Sequence, residues 1–372
     1  MTEAADLPET KPAALVRPPK RKIEGLELLR FLLAFGVMIY HYAYFGPLSG
    51  KVAGVAPGPS WLVSGRFGVS AFFIISGFVI IYSAGNRGAG AFARARLARL
   101  APAMLVCATV TMLVLTLWPG TVPAPDVLTY LKSASTVGLL AGAPYVDGSY
   151  WSITIELRFY LYVTLLLLVL RNTDAVRAVA VAWMAASFTA MAFYSFTPLR
   201  ILTLSPHSGF FIIGLIFYCW LILEDRRFVA WTLPPALALA AWQSFVEFEH
   251  IAEMQGGQTS VWVGIGAATV SVALVRLMAF GISAPRLAAT ARTLGAMSYP
   301  LYLLHQALGY RLIEGMVAAG LAPPAAIALA AGAMSAGAWA LATYIEPVGG
   351  RLIMQAGDAH RRRGNTRNLR GA

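Results

Sequence analysis

Charge is scarce in this chain: Asp, Glu, Lys and Arg together make up 12% of its 372 residues, about half the share of an ordinary soluble domain. So few charges cannot cover a water-facing surface. Cysteine is nearly absent too. Cys107 and Cys219 fall in separate apolar runs, which excludes a disulfide scaffold and a cysteine-built metal centre. No Gly-rich phosphate loop is present, so nothing supports a nucleotide-binding fold. No His-x-x-x-His pair or carboxylate pair stands at metal-ligand spacing, and no metal is expected. Acidic residues are the rarer charge, 17 against 29 Lys and Arg. That excess raises nucleic acid as a partner. Yet the basic residues sit at the ends of apolar runs rather than on a polar, aromatic-interleaved face, so no nucleic-acid partner is expected.

What the chain has in abundance is apolar side chain, 58% of residues, with a mean hydropathy of +0.66. A bilayer is the solvent that fits this composition. Apolar runs near the length of about 20 residues needed to cross a hydrocarbon core fall at roughly 26–45, 67–83, 100–118, 151–170, 177–195, 208–223, 228–246, 259–281, 296–316 and 323–344. The second and sixth are short and need tilt or shielding by neighbours. The weak apolar piece 127–142 is expected to be interfacial or re-entrant. With a cytoplasmic N-terminus, 21 Lys and Arg fall inside, against Lys51, Arg66, Lys132 and Arg200 outside. The positive-inside rule therefore predicts an all-α polytopic membrane bundle of about ten transmembrane helices with both termini cytoplasmic. Residues 1–22 form a basic, disordered cytoplasmic tail, 23–350 the transmembrane domain and 351–372 a second basic cytoplasmic tail.

Ionisable side chains inside a membrane cost about 2.5–3.5 kcal/mol on insertion scales and mark functional candidates. Here they are Arg30, His41, Glu156, Arg158, Arg276, His305 and Arg311. Arg158, Arg276 and Arg311 also fit snorkelling or local pairing. Arg30 and His41 are eleven positions apart, so on a regular helix they point within about 20° of each other and lie about 16 Å apart along the axis. That geometry suits a long anionic molecule gripped by Arg30, its reactive tip delivered to His41. A structural arginine and a hydrogen-bonded histidine fit the same spacing. Glu156 lies at a depth similar to that of His41, where a carboxylate can hold a neutral imidazole in its proton-accepting tautomer. A salt bridge to a buried arginine is its other reading. Ser152 shares a helical face with Glu156, and Tyr302 with His305. Arg96 and Arg99, one turn apart, form a phosphate grip, though a positive-inside loop collects arginines regardless. Gly68, Ser76 and Gly77 are small residues of the kind that let helices approach closely.

In order, these segments resemble the acyltransferase 3 family of multi-pass membrane acyltransferases. Arg30 followed by His41 is similar to the family's Arg-x10-His motif. Gly68-Val-Ser-Ala-Phe-Phe-Ile-Ile-Ser-Gly-Phe78 resembles its GVxxFFxxSGF segment, and Arg96-Leu-Ala-Arg99 its Arg-x-x-Arg. Trp151-Ser-Ile-Thr-Ile-Glu156 with Phe159-Tyr160 resembles WSLSxExxFYL, and Ser298–His305 resembles SYxLYLxH. Ser70, Leu157 and Arg158 depart from the family, which often has acidic or amide side chains at these positions. The resemblance implies an acyl-CoA donor, most often acetyl-CoA, on the cytoplasmic side of a bacterial inner membrane. It implies an acceptor hydroxyl, often on a carbohydrate or glycolipid, reached at or from the outer side.

On that basis His41 is expected to be the general base or a transient acyl carrier, oriented by Glu156. Arg30, Arg96 and Arg99 are expected to bind the donor. Ser152, Tyr302 and His305 are expected to line the substrate cavity, His305 as a donor to the developing oxyanion. A transporter or lipid flippase using the same buried charges is the rival expectation. The chain shows no inverted repeat and no paired broken helices to support it.

Overall fold

A computed structural model describes residues 24–85, 87–169, 175–205, 207–254, 261–280 and 285–368. The expected N-terminal tail, Arg171 and residues 369–372 lie outside the described residues. Every regular element among the described residues is helical. They are α1 (Glu24–Tyr40), α2 (Phe67–Ala84), α3 (Ala89–Leu117), α4 (Val127–Ala134), α5 (Tyr150–Val169), α6 (Val176–Ala192), α7 (Thr197–Thr203), α8 (Ser208–Leu221), α9 (Arg226–Met254), α10 (Val261–Phe280), α11 (Ala288–Ala318), α12 (Pro323–Ala340) and α13 (Glu346–Asn368). Each expected span coincides with one of these helices.

Among the described residues, seven stretches are long and apolar enough to cross a membrane: Glu24–Leu48, Ser60–Ala84, Ala89–Leu117, Tyr150–Val169, Thr197–Leu221, Arg226–Glu249 and Pro323–Gly357. α6 is a shorter apolar helix, as is Ile265–Leu277 within α10. α11 is long enough at 31 residues, but it carries His305, Gln306, Arg311 and Glu314. The reason is its position. Every residue from Met297 to Tyr310 is buried, and α1, α3 and α12 pack around the helix. A helix shielded from lipid escapes the demand for uniform apolarity.

Leu105, Leu113, Leu117, Leu165, Leu168, Trp231 and Leu329 are instead exposed, as expected where the outer surface faces hydrocarbon. The segment 127–142 contains only the eight-residue α4 and a 3-10 turn, Val137–Ala141. Eight residues rise about 12 Å, too little to span. Asp126 caps α4 by accepting from the Thr129 N–H at 2.8 Å, and Val127, Leu128 and Leu131 are left exposed. The segment therefore does not span, as both the interfacial and the re-entrant expectations require. In the C-terminal segment α13 carries the backbone as helix through to Asn368 and lies along α3.

Backbones meet closely where small residues allow it. A Cβ on Gly77 of α2 would lie 3.0 Å from the Cα of Gly214 in α8 and closer still to the Phe211 carbonyl oxygen. This contact seats α2 against α8, as the small residues of the second span predict. α1 runs into a π-turn, His41–Phe45, of the kind that often marks a functional position. A Cβ on Gly309 of α11 would clash with the Tyr42 ring. Glycine there lets Tyr42 lie flat on α11 and donate its hydroxyl to the His305 carbonyl at 2.7 Å.

Candidate active site

A cavity opens among α1, α2, α3, α5 and α11. Arg30, Arg96, Arg99, Ser152, Glu156 and Tyr302 all line it, so six of the eight expected site residues converge on one space. Three guanidinium groups from two helices are set against few counter-charges. Arg30 lies 3.9 Å from Glu27, and Arg99 lies 3.4 Å from Glu346 at the start of α13. The Nε of Arg96 is buried without a hydrogen-bond partner. A cluster with spare donors of this kind fits phosphate oxygens.

His41 and His305 stand beyond the end of this cavity, with Tyr302 between. The Tyr302 ring lies 5.3 Å from the His305 ring, and its hydroxyl is 2.8 Å from Ser152 Oγ. Since Ser152 Oγ donates to the Ser149 carbonyl at 3.2 Å, the Tyr302 hydroxyl donates to Ser152.

The two imidazoles touch, with His41 Nδ1 at 2.8 Å from His305 Nε2. His305 Nδ1 lies 2.8 Å from the Tyr302 carbonyl oxygen. A carbonyl can only accept, so His305 Nδ1 carries a proton. Neutral His305 then offers the lone pair of Nε2 to the Nδ1–H of His41. His41, only partly buried, keeps a free lone pair on Nε2. Hydrogen-bond partners thus assign both tautomers, and they leave His41 poised to take a proton.

The expected pairing of Glu156 with His41 is not what the structure contains. Glu156 Oε1 accepts from Ser76 Oγ at 2.7 Å and from the Tyr160 hydroxyl at 2.5 Å, and the side chain faces the arginine-lined cavity. Its salt-bridge alternative is not built as a contact either. Equal depth in the membrane did not bring the two groups together, because α5 turns its carboxylate toward α2. His305, expected as a cavity-lining oxyanion donor, is absent from the cavity lining and meets His41 instead. Arg158, Arg276 and Arg311 take the local readings: Arg158 reaches the Leu140 carbonyl at 3.4 Å, Arg276 lies 4.9 Å from the Trp220 ring centroid, and Arg311 pairs with Glu314 at 2.8 Å.

The Acyltransferase domain family model matches residues 23–343, which includes every residue of this site except Glu346. The chain belongs to the acyltransferase 3 family. It is 27% identical over 329 aligned residues to Nodulation protein 10 of Rhizobium leguminosarum bv. viciae, covering 78% of this chain and 83% of that protein. No solved structure matches it. As a member of this family the protein is a multi-pass membrane acyltransferase, and the transporter alternative is not favoured.

Several groups in this acyltransferase were not singled out by the sequence reading. Arg66, the cation before α2, hydrogen-bonds Glu247 of α9 at 2.5 Å, with His207 3.9 Å from the same carboxylate. The Trp151 ring lies 4.9 Å from the His207 ring and 6.0 Å from the Arg66 guanidinium. Tyr160 was legible by its i,i+4 spacing from Glu156. Asp147 was not. It lies in the loop before α5, fully buried, and accepts from Ser149 N, Ser149 Oγ and the Ala307 N–H at 2.8, 2.6 and 2.7 Å.

Proposed function

We propose that this protein is an O-acyltransferase of the bacterial inner membrane, with ten spans and both termini cytoplasmic. It moves an acyl group, acetyl by preference, from acyl-CoA to a hydroxyl of a cell-surface or exopolysaccharide sugar or its lipid-linked precursor. The observation that carries this reading is the polarity of the site: an arginine-lined cavity at one end, a tautomer-fixed histidine pair at the other, and Tyr302 bridging them. Arg30, Arg96 and Arg99 grip the donor phosphates, and the cavity leads the pantetheine arm toward Tyr302. The 21-to-4 distribution of basic residues supports placing the arginine end at the cytoplasm and His41 at the outer side.

In the reaction, His41 Nε2 takes the proton of the acceptor hydroxyl while its oxygen attacks the thioester carbonyl carbon. The carbonyl π electrons pass to oxygen and return as the C–S bond breaks. The sulfur leaves with that bond's electron pair and takes the proton back from His41, giving the acyl ester and free CoA. His305, accepting from His41 Nδ1–H, keeps Nε2 aimed outward and shares the positive charge as it forms. Holding donor and acceptor in register supplies much of the acceleration.

The test is release of free thiol by the purified protein given acetyl-CoA and a candidate acceptor glycan, with the O-acetyl ester followed by NMR. His41→Ala should lower turnover by at least about 10²-fold. Wild-type turnover in that variant would remove the base assignment.

A further inference from the structure

The histidine pair forms an imidazolium during turnover, and Glu156, the carboxylate the sequence offers for it, is engaged elsewhere. A second carboxylate stands close by. The loop Asp147-Gly148-Ser149 is fastened to α11 on both sides of His305. Two residues past His305, Ala307 gives its backbone N–H to Asp147 Oδ2 at 2.7 Å. Three residues before it, the Tyr302 carbonyl oxygen that holds His305 Nδ1 lies 3.2 Å from Ser149 Oγ. Ser149 Oγ is in turn 2.6 Å from Asp147 Oδ1. Gly148 carries no side chain, and a Cβ there would lie 2.9 Å from the Gln306 amide, so the loop can press directly on α11.

We propose that Asp147 is the positioning residue of the histidine pair: it fixes the turn of α11 that carries His305, and supplies the buried negative charge against which the pair takes up the acceptor's proton. The inference rests on the O-acyltransferase reading above. Asp147 carries no Lys, Arg or His partner among the described ion pairs. Its oxygens accept only from backbone amides and one serine, which leaves its charge uncancelled at short range. The other carboxylates near the bundle's centre are engaged elsewhere, Glu156 by Ser76 and Tyr160, Glu247 by Arg66 and Glu314 by Arg311 and Thr121. α1 and its π-turn present His41 and Tyr42, and α11 presents Tyr302 and Tyr310. Tyr40 lies with its ring 5.0 Å from the His41 ring, and α12 has no ionisable side chain. A fixed anion beside a histidine stabilises its protonated form without taking the proton.

The experiment measures thiol release as a function of pH for Asp147→Asn, Asp147→Glu and Ser149→Ala in purified protein, with His41→Ala as reference. Asp147→Asn should lower kcat about 10²-fold while the KM for acetyl-CoA stays within about twofold. Its acid limb should move to lower pH, because a pair without its anion protonates less readily. Asp147→Glu should restore most of kcat and hold the limb in place. Ser149→Ala, which loses one fastening but keeps the charge, should lower kcat less than Asp147→Asn does and leave the acid limb in place. Wild-type kcat in Asp147→Asn overturns the proposal. So does an equal loss in Asp147→Asn and Ser149→Ala with an unmoved limb, which would mark the loop as a staple alone. If Asp147→Asn does not fold, a limb displaced in Asp147→Glu overturns it equally. A His41→Ala variant with full turnover would fell the underlying reading, whereas His41 dependence with an indifferent Asp147 overturns this inference by itself.

Discussion

Replacing Glu346 by Gln should make the protein bind CoA more tightly. Glu346 follows the π-turn Leu341–Ile345 and points its carboxylate at Arg99 from 3.4 Å, so it occupies the guanidinium assigned to a donor phosphate. At that separation and an effective dielectric near 20, Coulomb's law gives about 5 kcal/mol for the bare pair. Arg99 is 36% exposed and Glu346 10%, so solvent screens much of this, and the net value falls to about 1 kcal/mol. A phosphate at Arg99 either displaces the carboxylate or sits beside it, and both cost free energy that the amide would not impose. The expected result is about a fivefold lower Kd for CoA, measured by titration calorimetry in nanodiscs. kcat should change little. Without CoA, the variant should melt earlier, because Arg99 loses its counter-charge, and CoA should restore the difference. Weaker CoA binding by Glu346→Gln would refute the reasoning. If Arg99→Ala left CoA binding unchanged, the phosphate assignment itself would be wrong.

Two further outcomes test how the bundle is held together rather than its chemistry. Gly77→Ala should destabilise by about 3 kcal/mol, the upper end for overpacking, because its methyl group meets the backbone of α8 and not a side chain that can turn away. Thermal unfolding of the detergent-purified protein checks this, and an unshifted midpoint would show that α2 and α8 can separate freely. Glu314→Gln should loosen residues 49–54 and 118–122 together. The carboxylate accepts from Ala53 N at 3.1 Å, Thr121 N at 3.2 Å, Thr121 Oγ1 and Arg311, and the charged acceptor contributes about 1–3 kcal/mol. Faster hydrogen exchange in both segments with unchanged CoA affinity is the expected signature. Protection unchanged in either segment would contradict it.

What the sequence made legible was set by local physics, and what it hid was set by how helices face one another. Apolar runs near membrane thickness located each main helix, because hydrocarbon imposes length and composition on every segment that touches it. The same rule located α11 from the run 296–316, although burial from Met297 to Tyr310 frees that helix to carry polar groups. Arg96 and Arg99, one turn apart, were bound to share a face, and they line the same cavity as Arg30. Contacts between distant segments were another matter. His41 and His305 are 264 positions apart, and nothing periodic links them. The projection that aligned His41 with Arg30 assumes 3.6 residues per turn throughout, whereas the chain enters a π-turn at His41. A wider turn re-aims the side chains after it, Tyr42 among them, and the His41 imidazole meets His305 of α11. Asp147 lies in an irregular loop, where no period fixes direction. Its role is visible only because an N–H from the middle of α11 is given to it. The chemistry of the site was therefore written in residue types and short spacings. Which groups meet across the bundle is decided by how its helices and loops pack, and that is a property of the packed bundle alone.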